Sequence, residues 1–246
     1  MQVFLRLLLL CSLCWGTIVS PLNAEETPSG LMISTSRLIY TEGQPSVSFW
    51  LANRSTQPWV VTASVFKTDT HGEANREKSA QFLVTPPMAL LAPGQRLPFR
   101  LVWIGSSVAN NKTEGLERLR LNLVPGNDVQ SQHNTLSISV SLWLKVFVRS
   151  MALNEVHGQM ERPHFVASCH GESLTIENKE PFWQTVRSVK MGGKELIDEK
   201  APAPMLAPFN KLTLPSATCN SSPVMGILND NGLVISLPLD KDEAHD

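Results

Sequence analysis

Residues 136–149 read Leu136-Ser137-Ile138-Ser139-Val140-Ser141-Leu142-Trp143-Leu144-Lys145-Val146-Phe147-Val148-Arg149. Strict alternation of aliphatic and hydroxyl side chains over the first seven positions predicts an extended strand with two unlike faces, because side chains of a strand alternate with period two. The hydroxyl set is small enough to be packed as well, so the pattern alone leaves open which face the protein buries. A spare apolar face invites a partner strand. In the second half of the stretch, Lys145 and Arg149 interrupt an otherwise apolar run, and charges in such a place need partners.

Working outward, short alternating segments recur at 38–40, 46–52, 59–66, 82–85, 97–104 and 119–124. With the long run at 136–148 they make seven strands, a number that suits a β-sandwich. Turn residues separate them at 42–45, 53–55, 69–72 and 92–95. The polar segment 68–79 reads as a loop or a short helix, and 105–115 as a further excursion. After Arg149 a second, weaker series follows at 165–169, 173–178, 185–191, 211–214, 225–228 and 233–237. The expected fold is all-β, with one domain at 25–152 and another at 153–246; the acidic end from Asp240 reads as a solvated tail.

Residues 1–24 have the composition of a secretory signal: Arg6 in the n-region, an apolar core from Leu7 to Trp15, and Pro21-Leu22-Asn23-Ala24 before the expected cut. No later segment approaches the ~20 apolar residues of a membrane span, so an exported, uninserted chain is expected. Its 222 residues carry 20 Lys+Arg against 22 Asp+Glu, a balance that argues against nucleic-acid binding.

Cys169 and Cys219 are the two thiols left after processing, and in an exported protein they most simply form one disulfide. The alternative is two buried thiols. His170 adjoins Cys169, but neighbours on a strand point to opposite faces, so adjacency does not make a catalytic thiol. There is no Gly-x-Ser-x-Gly elbow, no Cys-x-x-Cys after residue 24, and no metal-ligand spacing among His71, His133, His157, His164 and His170. Nothing asks for a cofactor, and no enzyme is expected.

Five ordered motifs carry a resemblance. Ser36-Arg37-Leu38-Ile39-Tyr40 is similar to a first-strand Thr-Arg motif, and Phe82-Leu83-Val84-Thr85-Pro86-Pro87 to a Phe-Val-Val-Thr-Pro-Pro motif. Ala92-Pro93-Gly94-Gln95 follows with Arg100 in the next strand. Residues 142–149 are similar to a signature ending Lys-Leu-Phe-Tyr-Arg, and Leu228-Asn229-Asp230-Asn231-Gly232 to an Asn-Asp-Tyr-Gly turn. All five belong to the PapD-like periplasmic chaperones of the chaperone-usher pilus pathway, which this chain resembles along nearly its whole length after residue 24.

The resemblance implies two immunoglobulin-like sandwiches in a boomerang, and a periplasmic chaperone that caps pilus subunits by lending them a strand before an outer-membrane usher receives them. It implies a donor face of Leu136, Ile138, Val140 and Leu142, and cleft cations Arg37 and Lys145 that hold the subunit's C-terminal carboxylate. It also implies an interdomain salt bridge of Glu117, Arg149 and Asp230, two carboxylates around one planar guanidinium. Self-dimerisation is left open, since a free donor strand is an adhesive edge.

Some positions depart from the family pattern. Ser150 stands where proline normally follows Arg149, Val148 replaces an aromatic residue, Arg118 replaces a serine, and the connection around Val124-Pro125-Gly126 is short. The loop 126–134 is short and has no cysteine, as in the short-loop subgroup. The competing reading is an exported immunoglobulin-like adhesive or structural protein, which offers no reason for Arg37 and Lys145 to converge.

Overall fold

The computed structural model describes residues 30–106, 112–126, 138–198, 200–215 and 221–241. The expected signal segment, Leu136 and Cys219 lie outside these residues.

The first sandwich is built from β1 (Leu31–Ile33), β2 (Arg37–Thr41), β3 (Val47–Asn53), β4 (Trp59–Thr68), β5 (Ala74–Lys78), β6 (Phe82–Thr85), β7 (Met88–Leu91), β8 (Arg96–Trp103), β9 (Gly115–Pro125) and β10 (Val140–Arg149). One sheet runs β1-β3-β8-β6; the other runs β2-β10-β9-β4-β5, with β7 also paired to β4. Their facing side chains make one core, including Leu38, Tyr40, Phe49, Phe99, Leu119, Leu121, Leu144 and Val146. Segment 68–79, expected as a loop or short helix, is instead a hairpin whose return strand is β5. Its residues are largely solvated, so alternation leaves no trace there.

A helix the sequence did not announce, α1 (Met151–Gln159), joins the halves. Ser150 caps it, its hydroxyl accepting the Leu153 N–H at 3.2 Å, which satisfies a donor that the first helical turn leaves open. Among α1 side chains only Leu153 is buried.

The second sandwich comprises β11 (Phe165–His170), β12 (Ser173–Asn178), β13 (Gln184–Met191), β14 (Lys194–Glu195), β15 (Met205–Leu206), β16 (Lys211–Pro215), β17 (Val224–Leu228), β18 (Val234–Pro238) and β19 (Asp240–Lys241). Its sheets run β16-β12-β11-β19 and β14-β13-β17-β18, with β15 on β13. Phe165, Leu174, Ile176, Val186, Val189, Met225 and Ile227 lie in its separate core. Cys169, in β11, is disulfide-bonded.

Apolar contact joins the halves. Leu116 and Phe147 from the first cluster with Met205 from the second, and Ile39 and Trp183 pack against them. Gly72 sits at φ +75°, where a Cβ would come within 2.9 Å of Leu116 and 3.0 Å of Met205; a close approach of chains there needs glycine.

Candidate functional site: a cation row beside an open strand edge

The parity of β10 sorts its residues. Leu144, Val146 and Val148 are buried in the first core, with Val140 and Leu142 half-buried against it. The intervening Trp143, Lys145, Phe147 and Arg149 therefore project from the opposite face, toward the second domain. On this outward face the register aligns Lys145 with Arg37 of β2 on one side and with Arg118 of β9 on the other. Three cations thus stand abreast on adjacent strands.

Each has a different environment. Arg37 is buried, and its Nη1 donates to the carbonyls of Leu228 at 3.1 Å and Asn229 at 2.7 Å, in the second domain. Its Nε and Nη2 have no partner among the described residues. Burial pulls its pKa below the ordinary arginine value, with Asp230 and Glu114 opposing. Lys145 makes no side-chain hydrogen bond or ion pair among the described residues. Burial first, then the nearby Arg118 and Arg37, push its ammonium down to about 8, with Glu73 opposing. Arg118 donates from Nε to the Gly72 carbonyl at 2.7 Å and from Nη2 to Glu73 at 3.2 Å. Farther out, Arg120 lies over the rings of Phe66 and Trp143, with centroid distances of 4.8 and 5.7 Å.

The expected network around Arg149 forms with one correction. Arg149 donates from Nη1 and Nη2 to Asp230 at 2.6 and 2.9 Å, and from Nε to Glu114 at 2.5 Å. Glu117 is absent from it. In β9, Glu117 has the parity of Leu119, Leu121 and Leu123, which fill the core, so it points away from the face that carries Arg149. Its partner is Ser79, whose hydroxyl donates at 2.9 Å. Glu114 also accepts the Trp183 N–H at 2.9 Å, and its own N–H donates to the Pro181 carbonyl at 2.8 Å. Burial pushes the Glu114 carboxyl up to about 7, while Arg149 and the Trp183 N–H pull it back. Burial opposes charge on Arg149 too, but Asp230 and Glu114 together raise its pKa.

The edge of β10 is the remaining feature. β10 pairs with β9 along Val140–Val148 but with β2 only along Lys145–Arg149. From Val140 to Leu144 the other side of the strand has no paired strand among the described residues. Ile138, just before the strand, is 67% exposed. Of the expected donor face, Ile138 is presented to solvent and Val140 and Leu142 are shared with the first core. Arg118, Trp143 and Arg120 were not singled out as site residues from the sequence, although each lies two residues from another on the outward face of β9 or β10.

No cluster of His, Cys, Asp or Glu that could hold a metal ion occurs among the described residues, and no helix among them is long and apolar enough to cross a membrane.

Solved structures define the class of fold. The Escherichia coli chaperone DraB superposes with a TM-score of 0.67 at 22% identity, covering 85% of this chain and 97% of that one. The SafB chaperone of Salmonella enterica, solved in complex with the SafA pilin, superposes at 0.68 with 23% identity, covering 89% and 100%. Both are PapD-like chaperones of two immunoglobulin-like sandwiches. Residues 30–154 match the family described as "Pili and flagellar-assembly chaperone, PapD N-terminal domain", and residues 162–238 match "Pili assembly chaperone PapD, C-terminal domain". The chain belongs to this family of pili assembly chaperones, a non-enzymatic group. Among curated relatives, the "Probable fimbrial chaperone protein ElfD" of Escherichia coli is 28% identical over 229 residues, 92% of this chain and 89% of that one.

Proposed function

We propose that this pilus chaperone is exported to the periplasm, where it captures incomplete pilus subunits by adding β10 to their open sheet and delivers them to an outer-membrane usher. The observation that carries this reading is the edge of β10 from Val140 to Leu144, unpaired among the described residues, which runs directly into the Lys145 position. A subunit strand can add its backbone to that edge. The first core ends there in Leu142 and Val140, with Ile138 exposed just before the strand, and these side chains enter the subunit's groove together with Leu136, the remaining residue of the expected donor face. Covering Ile138 alone is worth about 1.5–3 kcal/mol before association costs; Val140 and Leu142 contribute less, being half-buried already.

Arg37 and Lys145 hold the carboxylate at the end of the subunit chain. A chain end has one such group, so fixing it fixes the register of strand pairing. Among the described residues Nε and Nη2 of Arg37 are buried without a partner and the Lys145 ammonium makes no hydrogen bond or ion pair, which suits this role. The Glu114–Arg149–Asp230 network holds the two domains at the angle that forms the cleft. Without a subunit, the same edge is open to a second copy of the chain. The disulfide expected between Cys169 and Cys219 would clamp the second domain.

The test is capture of a pilus subunit in the periplasm by chains carrying Ile138→Ser with Val140→Ser. Capture should fall while the first domain stays folded. Undiminished capture would remove β10 as the lent strand.

A further inference from the structure

Lys145 faces an open cavity of about 550 Å³ between the domains, lined also by Arg118, Trp143, Glu73, Pro202 and Ala203. Arg37 is not on its wall. That side chain lines a separate cavity, about 150 Å³, around Arg149 and Asp230, and its Nη1 is engaged by the Leu228 and Asn229 carbonyls. The cation that shares open space with Lys145 is therefore Arg118.

Two like charges on register-paired residues of adjacent strands repel one another, and an anion between them relieves the cost. The free chain supplies only part of one. Glu73 contacts Arg118 at 3.2 Å, yet its side chain is 66% exposed, against 11% for Arg118. An exposed partner of this kind is held weakly. Arg118 itself is held by the bond from Nε to the Gly72 carbonyl, and its Nη2 meets Glu73, which lines the same cavity.

We infer that Arg118 is a third anion-binding residue of the cleft, taking the ligand's carboxylate together with Lys145, and that Glu73 is the internal carboxylate this ligand displaces. The inference rests on the reading above that the ligand enters with a free C-terminal carboxylate. It adds that the anchor is biased to the β9 side of Lys145, and that entry costs the Glu73 contact.

The test titrates two labelled ten-residue peptides of alternating valine and threonine, one ending in a free acid and one in an amide, into the purified chain. The natural protein should prefer the acid. Arg118→Ser should shrink that preference about tenfold, as expected for loss of one charge-assisted hydrogen bond, with amide binding unchanged. Glu73→Gln should tighten the acid severalfold and leave the amide alone, whereas Glu77→Gln, on the same exposed hairpin, should do neither. If Arg118→Ser fails to fold, Glu73→Gln decides alone, being a solvated substitution. Natural preference retained in Arg118→Ser, or no gain in Glu73→Gln, overturns the role of Arg118. Equal binding of acid and amide by the natural protein overturns instead the carboxylate-anchor reading on which it rests.

Discussion

Arg149→Ala strips the guanidinium from a network in which the partners are unequally buried. The Glu114 side chain is 1% exposed, and that of Asp230 is 34% exposed. After the substitution the Glu114 carboxylate keeps only the Trp183 N–H, so a buried carboxylate, or the proton it must take up, is left without its cation. Breaking a buried pair from one side costs about 3–5 kcal/mol. Asp230 can turn to water and adds at most about 1 kcal/mol. At about 2–4 °C per kcal/mol for a chain of this size, Arg149→Ala should lower the melting temperature by about 6–24 °C, read by circular dichroism at pH 7.5. Asp230→Ala should cost far less. Adding Glu114→Gln to Arg149→Ala should recover part of the loss, since a neutral amide tolerates the site better. Equal melting shifts for Arg149→Ala and Asp230→Ala, with no recovery in the double variant, would refute the claim that Glu114 is the buried member that matters.

Other consequences follow from the same geometry. Leu144→Ser, fully inside the first core, should unfold the first domain, whereas Ile138→Ser should leave the thermal melt unchanged and weaken subunit capture alone. Gly72→Ala should destabilise the domain junction by about 1–3 kcal/mol, seen as a lower melting temperature and an altered scattering profile. Carboxylate capture should depend on pH. Lys145 binds as an ammonium and its pKa lies at about 8, set by burial and by Arg118 and Arg37 against Glu73. Affinity for a free-acid peptide should therefore hold below that pH and fall as pH rises through it. Lys145→Arg, which stays charged, should abolish the decline between pH 7 and 9.

Much of this was legible in the sequence because alternation survives wherever one strand face is buried. The long run contained the strand at 140–149 and the two cations it carries, and the family resemblance of the Asn229-Asp230 turn supplied the second-domain half of the Arg149 pair. Glu117 was misplaced for a reason the sequence itself contains: it shares parity with Leu119, Leu121 and Leu123, so it could not share a face with Arg149. Glu114 lies before β9, in the stretch read as an excursion, where no periodicity marks it. β5 is nearly all polar and solvated, and α1 buries one side chain, so neither leaves a periodic trace. Ser150 was legible as a missing proline but not as the helix cap it is. That Arg37 faces one cavity while Lys145 and Arg118 face another depends on the second domain's position, which no local pattern encodes.

The most direct measurement is co-purification of the periplasmic chain with a pilus subunit encoded beside it, comparing the natural sequence with Lys145→Ala. A stable one-to-one complex with the natural chain, lost in a variant that melts at the same temperature, is the expected result. An equally stable complex with Lys145→Ala would contradict the carboxylate anchor, and no complex with any such subunit would contradict subunit capture itself.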